Sequence, residues 1–280
     1  MRLLADLHTH TVASGHAFST LTENAHVARD RGIELIAITD HGPSVPQGAH
    51  PWYFWNLKVI PSVLDGVRLL KGCEANLSLD SENGLDLPDQ ILGWLDFVAV
   101  GFHPTTGFDK PDRARNTEAL LRVMAHPLVD QITHPGNEAE FPLNLDEIVS
   151  AAVRHNVILE LNDHSFDPTS SRAGSGARER EFAEAALAAG APVSIGSDAH
   201  YALHIGHFDS ALAVAEQIGL TEERIVNRNA ESVLAHLLGK RERPRMDIGG
   251  VWQWPTPTHA AAHAAAEPAE AAPEEGERWW

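Results

Sequence analysis

The chain has 280 residues, 43% of them apolar, so it is long enough to bury the core of one large domain. Its single cysteine, Cys73, excludes an intrachain disulfide as well as zinc or iron–sulfur sites built from several cysteines. The formal net charge of −18 disfavours extended binding to nucleic acid, because it would repel a phosphate backbone.

Seven short β-type runs recur along the chain, each followed by a segment of helical character. The runs are Arg2–Ala5, Leu35–Thr39, Leu69–Leu70, Phe97–Val100, Val129–Thr133, Val157–Leu161 and Val193–Ile195. Strands that alternate with helices are typical of parallel β/α units. The sequence therefore predicts an α/β protein in which one barrel-sized domain holds a parallel sheet.

Several helix ends carry recognisable signals. Thr20 is followed by Glu23 and Asn144 by Glu147, which is the spacing of an oxygen cap with a carboxylate three residues later. Glycines are expected where helices stop, because they adopt left-handed backbone angles without strain. The glycines in such positions are Gly32, Gly190 and Gly239.

The sequence changes character towards its C-terminus. From Trp252 onward it is rich in alanine, proline and glutamate and has no sustained amphipathic period. We predict a barrel domain over residues 1–240 and a disordered tail over residues 241–280. The sequence shows no long apolar run and no signal-peptide pattern, so we expect a cytoplasmic protein without membrane contact.

Side chains that bind metals follow six of the seven runs. Because the C-terminal ends of parallel strands meet at one rim of a barrel, these side chains are expected to converge there. The candidate ligands are His8, His10, His16, His41, Glu74, His103, His134, Asp198 and His200. Nitrogen and oxygen ligands in this number exceed one tetrahedral site and favour two or three metals that share a bridging carboxylate.

Spacing adds a local prediction. His8 and His10 are two residues apart on an extended segment, so both side chains point the same way and can hold one ion. The same spacing relates Asp198 to His200, and the same geometry is expected of them.

The segments that carry these residues resemble a known family. They are DLHTHTVASGHAFSTL, AITDHGP, GCEANL, GFHP, THPGN and GSDAH, and in order and spacing they resemble the PHP (polymerase and histidinol phosphatase) superfamily, most closely its stand-alone YcdX-like phosphatases. The resemblance extends from about Arg2 to Leu238. It implies a distorted (β/α)7 barrel with three divalent metal ions, zinc, manganese or iron, at the C-terminal rim of the strands.

The resemblance also distributes the ligands. It implies that Glu74 bridges two metals, the first held also by His8, His10 and Asp198. The second metal would be held also by His103 and His134, and the third by His16, His41 and His200. Such a centre suits phosphoester hydrolysis by direct attack of a metal-bound hydroxide, supported by Glu74, Asp198 and His200.

Further residues near the rim are candidates for supporting roles. We expect Asp6 and Asp40 to orient ligand imidazoles. The candidates for substrate contact are Lys58, Lys71, Asn76, Asn162 and His50.

The function that these features favour is a phosphomonoesterase acting on small phosphorylated metabolites. Histidinol phosphatase is an alternative within the same fold, and a phosphodiesterase or 3′ to 5′ exonuclease of the polymerase-associated type is another, which the negative charge disfavours. The remaining alternative is a metal-binding module without catalytic activity. The expected partner is a small phosphorylated substrate, and the sequence is compatible with a homo-oligomer.

Overall fold

A computed structural model of the protein describes residues 1–108, 112–137, 139–240, 245–246 and 252–253. Its main sheet contains eight strands. They are β1 (Ala5–Thr9), β2 (Leu35–Ile38), β3 (Val63–Leu64), β4 (Val67–Asn76), β5 (Phe97–Gly101), β6 (Gln131–Ile132), β7 (Ile158–Asn162) and β8 (Val193–Gly196). Seven of them run parallel in chain order, and β3 pairs antiparallel with β4.

Helices connect successive parallel strands, and two more follow β8. They are α1 (Leu21–Asp30), α2 (Pro51–Asn56), α3 (Asp89–Leu92), α4 (Arg113–Met124), α5 (Leu145–His155), α6 (Gly176–Ala189), α7 (Asp209–Gln217) and α8 (Ala230–Lys240). This alternation confirms the predicted (β/α)7 barrel. In the described residues, no helix combines the length and the apolarity needed to cross a membrane.

The sheet curls until β1 and β8 meet at a seam. Near the C-terminal ends, Ala199 accepts a hydrogen bond from the His10 N–H at 2.9 Å and donates one to the His8 carbonyl at 3.2 Å. Further down, the buried Asn227 side chain replaces missing ladder bonds. It accepts from the Ile195 N–H at 2.9 Å and donates to the carbonyls of Ile195 at 2.7 Å and Ala5 at 2.8 Å.

The barrel interior changes from apolar to polar along the strands. On β4, Leu70, Glu74 and Asn76 share one face because side chains on a strand alternate between its two faces. The lower interior is a fully buried apolar cluster of Ala5, Leu7, Leu35, Ala37, Leu70, Phe97, Ala99 and Ile158, packed with residues of α8. The polar groups therefore lie on a rigid apolar base.

Strand boundaries differ from the sequence prediction at two places that matter for the site. β1 covers Ala5–Thr9 instead of Arg2–Ala5, and β4 covers Val67–Asn76 instead of Leu69–Leu70. Both strands continue through polar residues, because those residues face partners inside the barrel instead of water. His8 and Glu74 therefore lie within strands and not in the loops after them.

The helix signals had mixed outcomes. Thr20 and Glu23 form a complete capping box, in which each side chain accepts a hydrogen bond from the backbone N–H of the other. Asn144 precedes α5 as predicted, but its side chain makes no cap hydrogen bond and its amide donates to Glu147 instead.

Two of the three predicted glycine stops are present. Gly190 ends α6 with φ of +75°, and Gly32 follows α1 with φ of +74°. Gly239 does not end a helix, since α8 continues to Lys240. A glycine within a helix costs only about 1 kcal/mol relative to alanine, which the surrounding helix tolerates. The predicted disordered tail lies outside the described residues, apart from the antiparallel pair β9 (Arg245–Met246) and β10 (Trp252–Gln253).

Candidate metal centre

The structure brings all nine predicted ligands together at the C-terminal rim of the barrel. Their ligand atoms form overlapping groups of three, each with all atoms within 4.8 Å of one another. The groups are His8, His10 and Asp198; His8, Glu74 and His134; His41, Glu74 and His103; and His10, His41 and His200. His16 joins them through His200, with 3.0 Å between the two Nε2 atoms.

The Glu74 carboxylate is at the centre of this cluster. From its Oε2, the distances are 3.0 Å to His41 Nδ1, 3.4 Å to His8 Nε2, 3.4 Å to His103 Nε2 and 3.7 Å to His10 Nε2. Its Oε1 accepts a hydrogen bond from Thr133 Oγ1 at 2.7 Å and lies 3.0 Å from His134 Nε2. One fully buried carboxylate is therefore shared by ligands from several strands.

Several nitrogen and oxygen atoms that could bind a metal lie buried around Glu74 without a hydrogen-bond partner in the part of the chain that the structure describes. Among the described residues, no hydrogen-bond partner reaches His8 Nε2, His10 Nε2, His41 Nδ1, His103 Nε2 or Glu74 Oε2. Each buried polar atom left unpaired costs about 1–3 kcal/mol, so converging atoms of this kind need a compensating partner. A divalent cation is such a partner for imidazole nitrogen and carboxylate oxygen, and the residues fit a metal centre.

Two candidate ligands, His134 and Asp198, have unusual backbone angles. Asp198 has φ of +53° and His134 has φ of +31°, in the left-handed region that non-glycine residues adopt at a cost of about 1–3 kcal/mol. Asp198 Oδ1 thereby lies 3.2 Å from His10 Nε2, whereas the His200 Nε2 faces His16. The extended backbone predicted for Asp198 is therefore wrong, although the two side chains stay close, with 3.4 Å between His200 Nδ1 and Asp198 Oδ1.

Hydrogen bonds from behind fix several imidazoles. Asn76 Nδ2 donates to Asp86 Oδ2 at 2.5 Å, which leaves its Oδ1 to accept from His103 Nδ1 at 2.7 Å. His10 Nδ1 lies 3.2 Å from Ser14 Oγ. In each case the opposite ring nitrogen, Nε2, is left to face Glu74, as is usual for metal-bound histidine.

The two predicted orienting aspartates are both buried behind the cluster. Asp40 Oδ1 accepts from Ser14 Oγ at 2.7 Å, and its Oδ2 accepts from the Tyr53 hydroxyl at 2.5 Å. In the described residues, Asp40 does not contact the His10 ring and is linked to it through Ser14. Asp6 contacts backbone N–H groups, including that of His8 at 3.3 Å, and accepts from a serine hydroxyl; it contacts no ligand imidazole ring in the described residues.

The electrostatics favour the ligand forms of most of these groups; His8 is the exception, because the Glu160 and Glu74 carboxylates outweigh the effect of burial and raise its pKa to about 10. Burial lowers the pKa of His134 to about 3 and that of His200 to about 2, with neighbouring cationic groups adding to the shift. Burial opposes ionisation of Glu74, but the surrounding imidazoles hold its pKa well below the usual range. Neutral imidazole and ionised carboxylate are the forms that bind metal ions.

A cavity of about 510 Å³ opens directly onto the cluster. Beyond the candidate ligands, its polar lining includes Thr105, Asn137, Glu140, His164, Ser171 and Arg172. Within this lining, Arg172 carries a guanidinium that donates to Asp198 Oδ2. The cavity therefore combines metal-binding groups with a nearly buried cation.

The residues predicted for substrate contact divide into two sets. In the described chain, Lys58, Lys71 and His50 do not line this cavity: Lys58 lies 5.3 Å over the ring of Trp55, and His50 accepts from a backbone N–H as the cap of α2. Asn76 and Asn162 lie beneath the cluster, and both are fully buried. The sequence analysis missed Arg172, which lies in the loop before α6.

Glu160 was also missed, although the sequence carries a signal for it. It lies on β7 two residues before Asn162, so the two share the inward face of the strand. Its Oε1 accepts from His8 Nδ1 at 2.8 Å. A glutamate in an otherwise apolar strand run is the pattern that would have identified it.

Comparison with known proteins agrees with this arrangement. The PHP domain family profile matches residues 6–164. A "Probable phosphatase" of Caldanaerobacter subterraneus subsp. tengcongensis is 44% identical over 250 residues, covering 89% of this chain and 95% of the relative. A "Probable phosphatase" of Shewanella frigidimarina is 42% identical over 241 residues, covering 86% of this chain and 95% of the relative.

A solved structure shares the fold at low sequence identity. The histidinol phosphate phosphatase of Lactococcus lactis, whose crystal structure contains zinc, L-histidinol and phosphate, superposes with a TM-score of 0.56 at 17% identity, covering 79% of this chain and 95% of that one. The matched profile spans more than half of the chain, and relatives above 40% identity span most of it. The chain belongs to the PHP domain family.

Proposed function

We propose that the protein is a metal-dependent phosphomonoesterase that hydrolyses small phosphorylated metabolites. The observation that carries the proposal is the set of unpaired, buried donor atoms around Glu74 at the base of a cavity that also holds Arg172. The name "Probable phosphatase" of relatives that cover 89% of the chain supports the same class of reaction.

Three divalent ions, zinc, manganese or iron, are the proposed cofactors. One would be held by His8, His10, Glu74 and Asp198, a second by Glu74, His103 and His134, and a third by His16, His41 and His200. The first set is supported by distances of 3.2–3.7 Å between its imidazole nitrogens and carboxylate oxygens, because ligands of a tetrahedral ion lie about 3.4 Å apart when each is about 2.1 Å from it. The second is supported by the distances from Glu74 to His103 and His134, and the third by the distance from His16 to His200. Glu74 is the bridging carboxylate of the proposal.

In this proposal, the metal ions and the residues of the chain have different roles. When held by these residues, divalent ions would supply Lewis acidity and would lower the pKa of water at the site towards about 7. Arg172 offers a planar, charged group suited to phosphoryl oxygens, and the low exposure of its side chain, 11%, strengthens that interaction. Asn76, Ser14 and Glu160 hold imidazoles in place from behind.

A small monoester suits the cavity better than a nucleic acid. The volume of about 510 Å³ matches a small-molecule site, and a formal charge of −18 repels a polyanion at long range. A compact substrate with one phosphoryl group needs no extended basic groove.

The test is hydrolysis of p-nitrophenyl phosphate against bis-p-nitrophenyl phosphate by protein loaded with zinc, manganese or iron. We expect a clear preference for the monoester, followed by turnover of members of a panel of sugar phosphates, nucleotides and histidinol phosphate. Preference for the diester, with processing of a labelled oligonucleotide, would replace the proposal by the nuclease alternative. Absence of hydrolysis by fully loaded protein would favour the non-catalytic module.

A further inference from the structure

Glu160 uses both of its carboxylate oxygens behind the candidate metal centre. Oε1 accepts from His8 Nδ1 at 2.8 Å, and Oε2 accepts from the His134 backbone N–H at 2.9 Å. Asn162 Nδ2 adds a third bond to Oε2 at 3.0 Å. The side chain is fully buried, so water does not compete for these bonds. One carboxylate thus links two candidate ligands from different strands.

The neighbouring strand makes room for this carboxylate. A Cβ atom at Gly196 on β8 would lie 1.9 Å from Glu160 Oε1. Only glycine fits beside the carboxylate in its present position, because real contacts of this kind do not fall below about 3 Å. The space for Glu160 is therefore built into the barrel wall.

The contacts have defined consequences for each ligand. When His8 is neutral, as a metal-binding imidazole is, the bond from its Nδ1–H to Glu160 selects the tautomer whose Nε2 carries a free lone pair, and that Nε2 is one of the unpaired buried atoms. The bond to the His134 N–H holds a residue whose φ is +31°, an angle that needs support from its surroundings.

We propose that Glu160 is a positioning residue that orients His8 and His134 together and thereby sets the affinity of the centre for metal ions. The inference rests on the proposed metal centre but not on the identity of the substrate. Removing such a partner of a metal-binding histidine typically weakens metal affinity about 10- to 100-fold.

A second buried glutamate provides a matched control. Glu179 is also fully buried, but only its Oε1 accepts hydrogen bonds, from Gly136 N and Ser165 Oγ at 3.2 Å each. Its Oε2 has no hydrogen-bond partner in the described residues. Glutamine can keep both bonds of Glu179 through one carbonyl oxygen. At Glu160, by contrast, glutamine must turn its NH₂ group towards an N–H donor on one side.

The experiment compares zinc binding by the wild-type protein, E160Q and E179Q, measured by competition with a chelator and by metal content after dialysis. We expect the dissociation constant of the most weakly bound zinc ion to rise about 10- to 100-fold in E160Q. In E179Q we expect it to change less than about threefold. Excess zinc is expected to restore hydrolysis by E160Q, which would not happen if the variant were misfolded.

A second readout follows the His8 ring itself. In protein labelled with ¹⁵N-histidine, the Nδ1–H signal of His8 is expected to shift in E160Q and to stay in place in E179Q. If E160Q does not fold, E160D replaces it, since its shorter side chain keeps the charge but cannot reach both donors.

Wild-type zinc affinity in folded E160Q or E160D would overturn the inference, and so would equal losses in E160Q and E179Q. These outcomes leave the proposed phosphatase activity untouched. Conversely, a wild-type protein that binds zinc but hydrolyses no phosphoester would refute the proposed function while the comparison of E160Q with E179Q still stands. A wild-type protein that binds no zinc, manganese or iron would overturn both.

Discussion

Arg172 donates a hydrogen bond to Oδ2 of Asp198, while the other oxygen of that carboxylate faces His8 and His10. The two oxygens of Asp198 therefore serve different partners, one a fixed cation of the chain and the other the candidate metal ligands. Arg172 Nε has no hydrogen-bond partner within the described residues, although the side chain is nearly buried. The side chain lines the cavity and is 11% exposed, so its guanidinium can face an anionic ligand there.

Replacing Arg172 is expected to impair turnover without removing metal. For R172A we expect kcat/KM for the best monoester to fall about 100-fold, which is typical for loss of one charge-stabilising donor. Lysine restores only part of the loss, because it lacks the planar fork. R180A is the control, since Arg180 pairs with Glu184 on the surface. Unchanged kcat/KM in R172A, at wild-type metal content, would contradict the role in substrate binding.

Glu74 is expected to be the most damaging single position. E74A removes the carboxylate shared by two ligand groups, so we expect loss of at least one equivalent of bound metal and a fall in activity of more than about 1,000-fold. Metal content by mass spectrometry and initial rates measure the two effects. E140Q changes a carboxylate of the cavity wall outside the ligand groups and should keep its metal. Full metal content in E74A would refute the bridging assignment.

The pH dependence of stability is expected to report on Glu179. Burial, reinforced by the nearby Glu160 carboxylate, raises its pKa to about 8 from an ordinary value of 4.5. Between these values the folded protein keeps a proton that the unfolded chain has lost, so this group lowers the free energy of unfolding as pH rises. The contribution is fully present below about pH 4.5 and is lost progressively up to about pH 8.

E179Q removes that dependence. Relative to the wild-type protein, the variant is expected to gain about 1.4 kcal/mol in free energy of unfolding for each pH unit between about pH 5 and about pH 7.5. Urea unfolding of both proteins at several pH values measures the difference. If the difference in free energy of unfolding between E179Q and the wild-type protein did not change with pH, the pKa of Glu179 would not be raised in the folded protein.

Asn227 is expected to contribute strongly to stability through the seam. N227A leaves three backbone groups of β1 and β8 unpaired, at about 1–3 kcal/mol each, so we expect a loss of at least about 3 kcal/mol in free energy of unfolding. N229A, nearby, removes one bond from the Ser232 N–H and should cost about 1 kcal/mol. Equal losses in the two variants would show that the seam tolerates unpaired groups.

The convergence of the candidate ligands could be predicted because each sits at a position fixed by local pattern. A histidine or carboxylate at the end of a buried strand has its location set by the strand, and parallel strands bring their ends together. The prediction placed His8 and Glu74 after their strands, because polar residues that follow a short apolar run are typical of loops. Only the completed barrel shows that their partners lie across its interior.

The groups that support the ligands could not be located in the same way. Arg172 lies in an irregular loop, and its approach to Asp198 depends on tertiary packing that no spacing encodes. Glu160 depends on the absence of a side chain at Gly196 on the next strand. Lys58 and Lys71 are predicted from their charge, and His50 from its place beside an aromatic segment; neither feature says which way a side chain points.

The closure of the barrel has a consequence for how the protein is made. His16 and His200 are 184 positions apart in sequence, and the bond from Asn227 to Ala5 spans 222 positions. Contacts between such distant parts of a chain form late and slowly, because the entropy of a long loop must be lost first. During synthesis, the seam cannot close until Asn227 has left the ribosome. The complete set of candidate ligands therefore comes together only after nearly the whole barrel has been translated. A metal centre built from this set could form only late in synthesis or after it.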